Sequence, residues 1–221
     1  MDNYDCFARE YKEGTERFDG EIRQFFYSFL PDLKEKNLLD VGCGSGGDAA
    51  FYACAGAEVC GIDLSAEQLI MARERTKGIF VQESMENISF ATNQFDIVTS
   101  FYALQHAEDV TKALLEMIRV ARPGGTILVL VEHPFRNLLE GHVNDGKSDY
   151  YAKREVTTYL YDHAIKLKEP AHTMMDYLAP AVLQVARLER LEEKTDFPAT
   201  EQVIPGLLYP TCMILKYRKT L

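Results

Sequence analysis

A chain of 221 residues, 47% of them apolar and with no linker-like stretch, can bury one good core, which predicts a single domain. Its formal charge of -10 argues against an electrostatic affinity for nucleic acid or anionic membrane, both of which reward a basic surface. The longest apolar run, 126–131, falls far short of the roughly 20 residues of a membrane helix, and the start Met-Asp-Asn-Tyr-Asp shows no leader pattern, so a cytoplasmic protein is expected.

Residues 3–13 place Tyr4, Phe7, Ala8 and Tyr11 at helical spacing, and beyond Gly14 a second amphipathic segment sets Phe18, Ile22, Phe25 and Phe29 on one face before Pro31 closes it. These aromatics dock two helices on a core; a sharper reading makes the first helix a lid with Tyr4 or Tyr11 near a ligand. Next, 37–41 is a short apolar run without room for a helical period, broken by Gly42, Gly44 and Gly46, and it reads as a buried strand entering a tight loop. Alternating glycines permit positive φ and close approach of a ligand to bare backbone. The helix that follows, with Ala49, Ala50 and Ala53, turns unpaired N–H groups toward the same place. A second strand, 58–63, ends in Asp63, which stands 21 positions past Gly42, the separation at which a βαβ unit brings an acid beside a nucleotide ribose.

Ser65 and Gln68 form a capping box, with Leu64 and Leu69 as its hydrophobic staple, so a helix starts near 66 and is expected to end at Gly78. A third strand at 79–82 leads to the loop Glu83-Ser84-Met85-Glu86. The fourth strand spans 95–100, and the fifth, 125–132, follows a helix bearing Val110, Ala113, Leu114, Met117 and Ala121 and the turn Arg122-Pro123-Gly124-Gly125. Strands alternating with helices predict an α/β, doubly wound, mostly parallel sheet covered on both faces.

The ordered segments Asp40-Val41-Gly42-Cys43-Gly44-Ser45-Gly46, Gly61-Ile62-Asp63-Leu64-Ser65, Phe95-Asp96-Ile97-Val98-Thr99-Ser100 with Ala103-Leu104-Gln105-His106, and Arg122-Pro123-Gly124-Gly125 resemble the signatures of class I methyltransferases that use S-adenosylmethionine. The resemblance covers roughly 38–130 and implies a Rossmann-like, seven-stranded sheet. It implies that Asp40 fixes the loop, that Gly42, Gly44 and Gly46 lie against the cofactor, that Asp63 holds the ribose hydroxyls and that Leu64 packs on the adenine. The family often carries an acid after the third strand; here Ser84 stands in that place, with the backbone of Met85 and Glu86 as substitutes. Ser100 and Phe101 would face the methionine end.

From 133 to 171 the sequence is polar, tyrosine-rich and irregular, too long for an ordinary connection, and is expected to be a cover with an added strand or hairpin across 156–168. Thr173 can cap a helix bearing Met174, Leu178, Val182 and Val185, broken at Pro180 unless a new helix begins there. Two last strands, 188–194 and 209–217, would form an antiparallel pair. The expected division is cap helices (1–31), cofactor core (32–132), substrate cover (133–172) and a C-terminal helix and strand pair (173–221). The tail resembles small-molecule members of the family, which implies methyl transfer from S-adenosylmethionine to an O or N atom, less readily C, of a small acceptor. A non-catalytic cofactor binder of the same fold is the alternative. A nucleic-acid methyltransferase is disfavoured, because Ser100-Phe101-Tyr102-Ala103 stands where Asn/Asp-Pro-Pro-Tyr/Phe would. If the acceptor must lose a proton, His133, immediately outside the fifth strand, is the first choice of base and His106 the second. The histidines and the five cysteines, at 6, 43, 54, 60 and 212, lack zinc spacing, so no metal is expected.

Overall fold

Leu38, Leu39 and Val41 are fully buried, as the central strand of a sheet covered on both faces requires. The computed structural model describes residues 5, 8–9, 12–13, 20–152, 155–160, 165–195, 204 and 206–220. Strands β1 (Asn37–Val41), β2 (Glu58–Asp63), β3 (Ile79–Gln82), β4 (Phe95–Phe101) and β5 (Ala121–Glu132) pair in parallel. With β8 (Ala186–Lys194) and β9 (Cys212–Lys219) they form a seven-stranded sheet in the order β3-β2-β1-β4-β5-β9-β8, in which β9 runs antiparallel to both its neighbours. This is the expected Rossmann-like methyltransferase architecture.

Because the register aligns Leu38 with Val59 and Ile97, those side chains share one face, and there they pack with Tyr52 and Leu69 from the helices α2 (Gly47–Cys54) and α3 (Ala66–Arg75). Farther along that face, Ile22 and Phe26 of α1 (Gly20–Tyr27) pack on Phe101, Leu128 and Leu130. Ile22 and Phe26, one turn apart, are the buried stripe of α1, while Phe25 and Phe29 are only half-buried. On the opposite face Leu39, Val98, Ile127 and Val129 meet α4 (Val110–Val120), whose Val110, Ala113, Leu114 and Met117 are buried at the expected spacing. The Asp109 carboxylate caps α4 by accepting from the Lys112 amide at 2.9 Å.

Several boundaries differ from expectation. Helix α3 ends at Arg75 with Thr76 as its cap; Gly78 is instead required because a Cβ there would stand 2.7 Å from the Val59 carbonyl. Ser65 does cap α3, accepting from the Gln68 amide at 3.1 Å, but the Gln68 side chain donates to the Ala8 carbonyl at 3.3 Å and leaves the box half made. Leu64 is exposed while Leu69 is buried in the core. Strand β5 starts at Ala121, paired with Phe95, and the turn 122–125 is a register irregularity inside it.

The stretch after β5 is not irregular. It holds a helix, α5 (Pro134–Asp145), and an antiparallel hairpin of β6 (Glu155–Leu160) and β7 (Ile165–Pro170), followed by α6 (Met174–Tyr177) and α7 (Pro180–Val185). Thr173 and Asp176 form a full capping box for α6, and Pro180 opens a new helix at its first turn. Helix α5 packs on β6, and β7 packs on the 3₁₀ turn Leu104–His106.

Candidate active site

The parallel strands end on one edge, and there a cavity of about 410 Å³ opens. Its wall draws Gly42, Cys43, Gly44 and Ser45 from the loop between β1 and α2, Gly47 and Asp48 from the first turn of α2, and Ile62, Asp63 and Leu64 from the end of β2. Gln68 and Arg75 come from α3, Glu83 and Met85 follow β3, and Phe101, Tyr102, Ala103 and His106 follow β4. Lys12, Gly20 and Arg23 complete it from the N-terminal side.

Gly42 is at φ +72°, and a Cβ there would lie 2.2 Å from that of Ala103, so only glycine lets the two loops approach. Asp63 organises the wall opposite: its Oδ2 accepts from the Gly44 amide and its Oδ1 from the Ser65 amide, both at 2.9 Å. Burial pushes its carboxyl above the ordinary value, while the amides of Ser65, Gly44 and Leu64 pull it back. Each oxygen keeps a second lone pair for a diol. Leu64 offers a part-exposed apolar side chain to the same wall.

Not every residue expected at the cofactor reaches the cavity. Gly46 is the left-handed N-cap of α2 and lies against Ala72, where a Cβ would stand 2.9 Å from the Ala72 Cα. Asp40 is 2% exposed beneath the loop; one oxygen accepts from the Thr99 hydroxyl at 3.0 Å and the other has no partner. Burial drives its carboxyl well above the ordinary range, with Asp48 and Asp63 adding to the effect. Ser100 is fully buried, its hydroxyl unpartnered, and Phe101 alone of that pair lines the cavity. After β3, Met85 lines it, whereas Ser84 accepts from the Glu86 amide and Glu86 accepts from the Glu108 amide at 2.8 Å, so both side chains brace the approach to α4.

His133 is the clearest reversal. It caps α5, its Nδ1 accepting from the Phe135 amide at 3.0 Å, and its Nε2 lies 2.9 Å from Glu193 on β8, away from the cavity wall. His106 lines the cavity instead. Burial, with His172 nearby, pushes the His106 ring down to about 4, against a hydrogen bond to the Tyr102 carbonyl that raises it.

The structure adds residues that spacing did not single out. Arg23 pairs with Asp48, and its guanidinium lies over the Phe101 ring at 4.2 Å. Asp48 also accepts from the Tyr27 hydroxyl. The Gln68 Oε1 is buried without a partner at the cavity wall. Tyr102 is held at φ +47°, a strained conformation for a side chain of its size. A cation on the polar face of α1 was the available signal for Arg23; nothing in residue type marks Tyr102. Tyr4 and Tyr11 lie outside the described residues, yet Asp5 accepts from the Ser65 hydroxyl and from the Glu67 amide, which ties the N-terminal stretch to the start of α3 beside the cavity.

The family described as "Methyltransferase domain" matches residues 39–129. A malonyl-[acyl-carrier protein] O-methyltransferase of Pectobacterium atrosepticum is 32% identical over 238 aligned positions, covering 93% of this chain and 91% of the relative. A protein of the same description from Enterobacter lignolyticus is 38% identical over 99 residues, which span 44% of this chain but only 39% of that relative. Among solved structures, an S-adenosylmethionine dependent methyltransferase from Mesorhizobium loti superposes with a TM-score of 0.69 at 20% identity, covering 91% of this chain and 99% of the other. No helix among the described residues is long and apolar enough to cross a membrane. With the ordered loop and acid on one edge of the sheet and a relative matched along nearly its whole length, the chain belongs to the class I S-adenosylmethionine-dependent methyltransferases.

Proposed function

We propose that the chain methylates a hydroxyl oxygen or an amine nitrogen of a small molecule seated at the end of β4, beside Phe101, Tyr102 and His106. The observation that carries this reading is one cavity bounded by Gly42, Gly44 and Asp63 on one side and by Phe101, Tyr102 and His106 on the other.

These residues fit the cofactor. Asp63 would accept from the two ribose hydroxyls, Leu64 would pack on the adenine, and the bare backbone at Gly42 and Gly44 would let it lie close. Arg23 and Lys12 supply positive charge for its carboxylate, and the unpartnered Gln68 Oε1 would take an N–H donor. Bound there, S-adenosylmethionine supplies a methyl group on a sulfonium, already a strong leaving group. The protein's task is to hold the acceptor in line, and positioning of that kind can supply roughly 7 to 11 kcal/mol of barrier. Phe101 and Tyr102 keep water from that end, and His106 can take a proton from an acceptor that has one to lose.

The P. atrosepticum relative is named for O-methylation of malonyl-[acyl-carrier protein]. In this chain the buried Arg136 beside the cover is engaged by Glu132 at 3.3 Å and by Glu140 at 2.8 Å, so that cation is held by protein carboxylates and not presented to a carboxylate acceptor. Incubation with methyl-labelled cofactor and a panel of phenols, alcohols, amines and carboxylic acids tests this. Label in hydroxyl or amine acceptors is expected; label confined to carboxylic acids overturns the assignment.

A further inference from the structure

The sheet and the cover, α5 with the β6–β7 hairpin, meet at the end of β5, and one histidine joins them. His133 is 5% exposed, its backbone N–H donates to the Thr211 carbonyl ahead of β9 at 2.9 Å, and Pro134 after it opens α5. Its Nδ1 accepts from the Phe135 amide at 3.0 Å, where helices ordinarily carry a serine, threonine, aspartate or asparagine oxygen. An accepting nitrogen has no hydrogen, so the ring is neutral and its one N–H sits on Nε2, which donates to Glu193 Oε1 of β8 at 2.9 Å. Both ring nitrogens are thus committed, one to the helix and one to the sheet edge. Helix α5 in turn packs on β6, and β7 packs on the 3₁₀ turn 104–106, where Glu169 Oε1 stands 3.3 Å from His106 Nδ1 of the cavity wall.

We propose that His133 is an acid-sensitive latch on the cover: a second ring proton breaks the cap of α5 and loosens that helix and the hairpin packed on it. The proton comes from solvent. One N–H bond forms at Nδ1, the lone pair that held the Phe135 amide is used up, and the ring gains one positive charge. Two N–H donors then face each other, and the new charge stands at the positive end of the helix dipole, where a cation is disfavoured. The wall of the cavity at His106 thereby senses acid through a ring that lies outside it.

The surroundings keep the latch closed at neutral pH. The charged and titratable side chains on the segments that meet here are Glu132 on β5, Arg136 on α5, Glu193 and Lys194 at the end of β8, Tyr209 ahead of β9 and Cys212 at its start. Glu132 is held by Arg136 and Asn137, Lys194 Nζ lies over the Phe25 ring at 4.0 Å, and the Tyr209 ring stands edge-on to Phe135. Glu193 faces the ring nitrogen and favours a second proton, but it is half exposed and burial of the ring opposes it more strongly, so His133 titrates below the ordinary value of 6.5. A ring released from the fold takes the proton first. The cap is therefore intact above pH 6.5, and its contribution is lost as pH falls below that value.

Hydrogen exchange of the protein alone at about pH 7.5 and about pH 5, with rates corrected for the intrinsic effect of pH, tests the latch and needs neither cofactor nor acceptor. In the wild type, protection of the amides in 135–140, 155–160 and 165–169 is expected to fall at least about tenfold between the two conditions, while the strand segments 38–41 and 127–131 change less than about twofold. H133N puts in place of the ring a side chain that caps helices well and takes no proton, and it is expected to keep the same protection at both pH values. Equal loss in H133N and wild type, or no loss in the wild type, overturns the proposal. Should H133N fail to fold, the nitrogen resonances of His133 in the wild type decide. Nδ1 is expected to be bare at neutral pH and to gain its hydrogen as exchange in α5 quickens; an Nδ1 that already carries hydrogen at neutral pH overturns the proposal.

Discussion

At the scale of single residues, Asp63 joins loop geometry to ligand recognition. Its two oxygens already hold the Gly44 and Ser65 amides, so the acid shapes the glycine loop it shares a wall with. Asp63→Ala removes the acceptor for two ribose hydroxyls, and hydrogen bonds to a charged group contribute roughly 1.5 to 3 kcal/mol each. Calorimetry with the demethylated cofactor product is expected to show affinity lowered by at least about tenfold, the equivalent of 1.4 kcal/mol. Unchanged affinity would remove Asp63 from the site. Asp63 was visible in the sequence because its distance from Gly42 is imposed by the βαβ unit. The base was not. His133 and His106 both follow strands that end on the cavity edge, and only the local partners, Glu193 for one and Glu169 for the other, tell an N-cap from a cavity wall.

At the scale of elements, α5 shows where pattern reading stops. Its buried residues include Arg136, Asn137 and Glu140, a polar stripe against β5 and β6, so no apolar period announces a helix. The fold accommodates the stripe because each charge has a partner. Removing the one cation leaves Glu132 and Glu140 buried and unpaired, and breaking a buried pair in this way costs about 3 to 5 kcal/mol. Arg136→Ala is therefore expected to lose stability of that size in urea unfolding, whereas a loss under about 1 kcal/mol would mean that the cluster is well solvated. Strands β1 and β4 were legible for the opposite reason, since a strand buried on both faces is largely apolar. The hairpin lay between these cases: alternation across 156–168 marked its strands, but the acid that β7 delivers to His106 depends on how the hairpin docks.

At the scale of the whole molecule, the parallel sheet carries the cavity's floor, Lys12 and Arg23 reach its wall from the N-terminal side, and the hairpin stands behind the turn that ends in His106. The N-terminal stretch is tied down through Asp5 and Ala8 to α3, and the hairpin rests on the 3₁₀ turn that ends in His106. Covers of this kind belong to the less stable parts of a fold and gain most when a ligand is enclosed. Hydrogen exchange is expected to slow in 155–160, 165–170 and the N-terminal segment when the demethylated product binds. Slowing confined to the loops after β1, β2 and β4 would assign these pieces a purely structural part.

The place of β9 in the sheet carries a consequence in time. Strand β8 forms the sheet edge and pairs with β9 alone, yet β9 begins at Cys212, after β8 has ended at Lys194. On a ribosome that releases the chain from its N-terminus, β8 emerges with nothing to pair with, and β5 keeps a bare ladder from Thr126 to Glu132 until β9 arrives. That ladder contains Ile127, Leu128, Val129, Leu130 and Val131, a sequence well suited to capture a second nascent chain. The yield of folded enzyme in a cell is thus governed by how quickly the latest of its strands reaches the gap left for it.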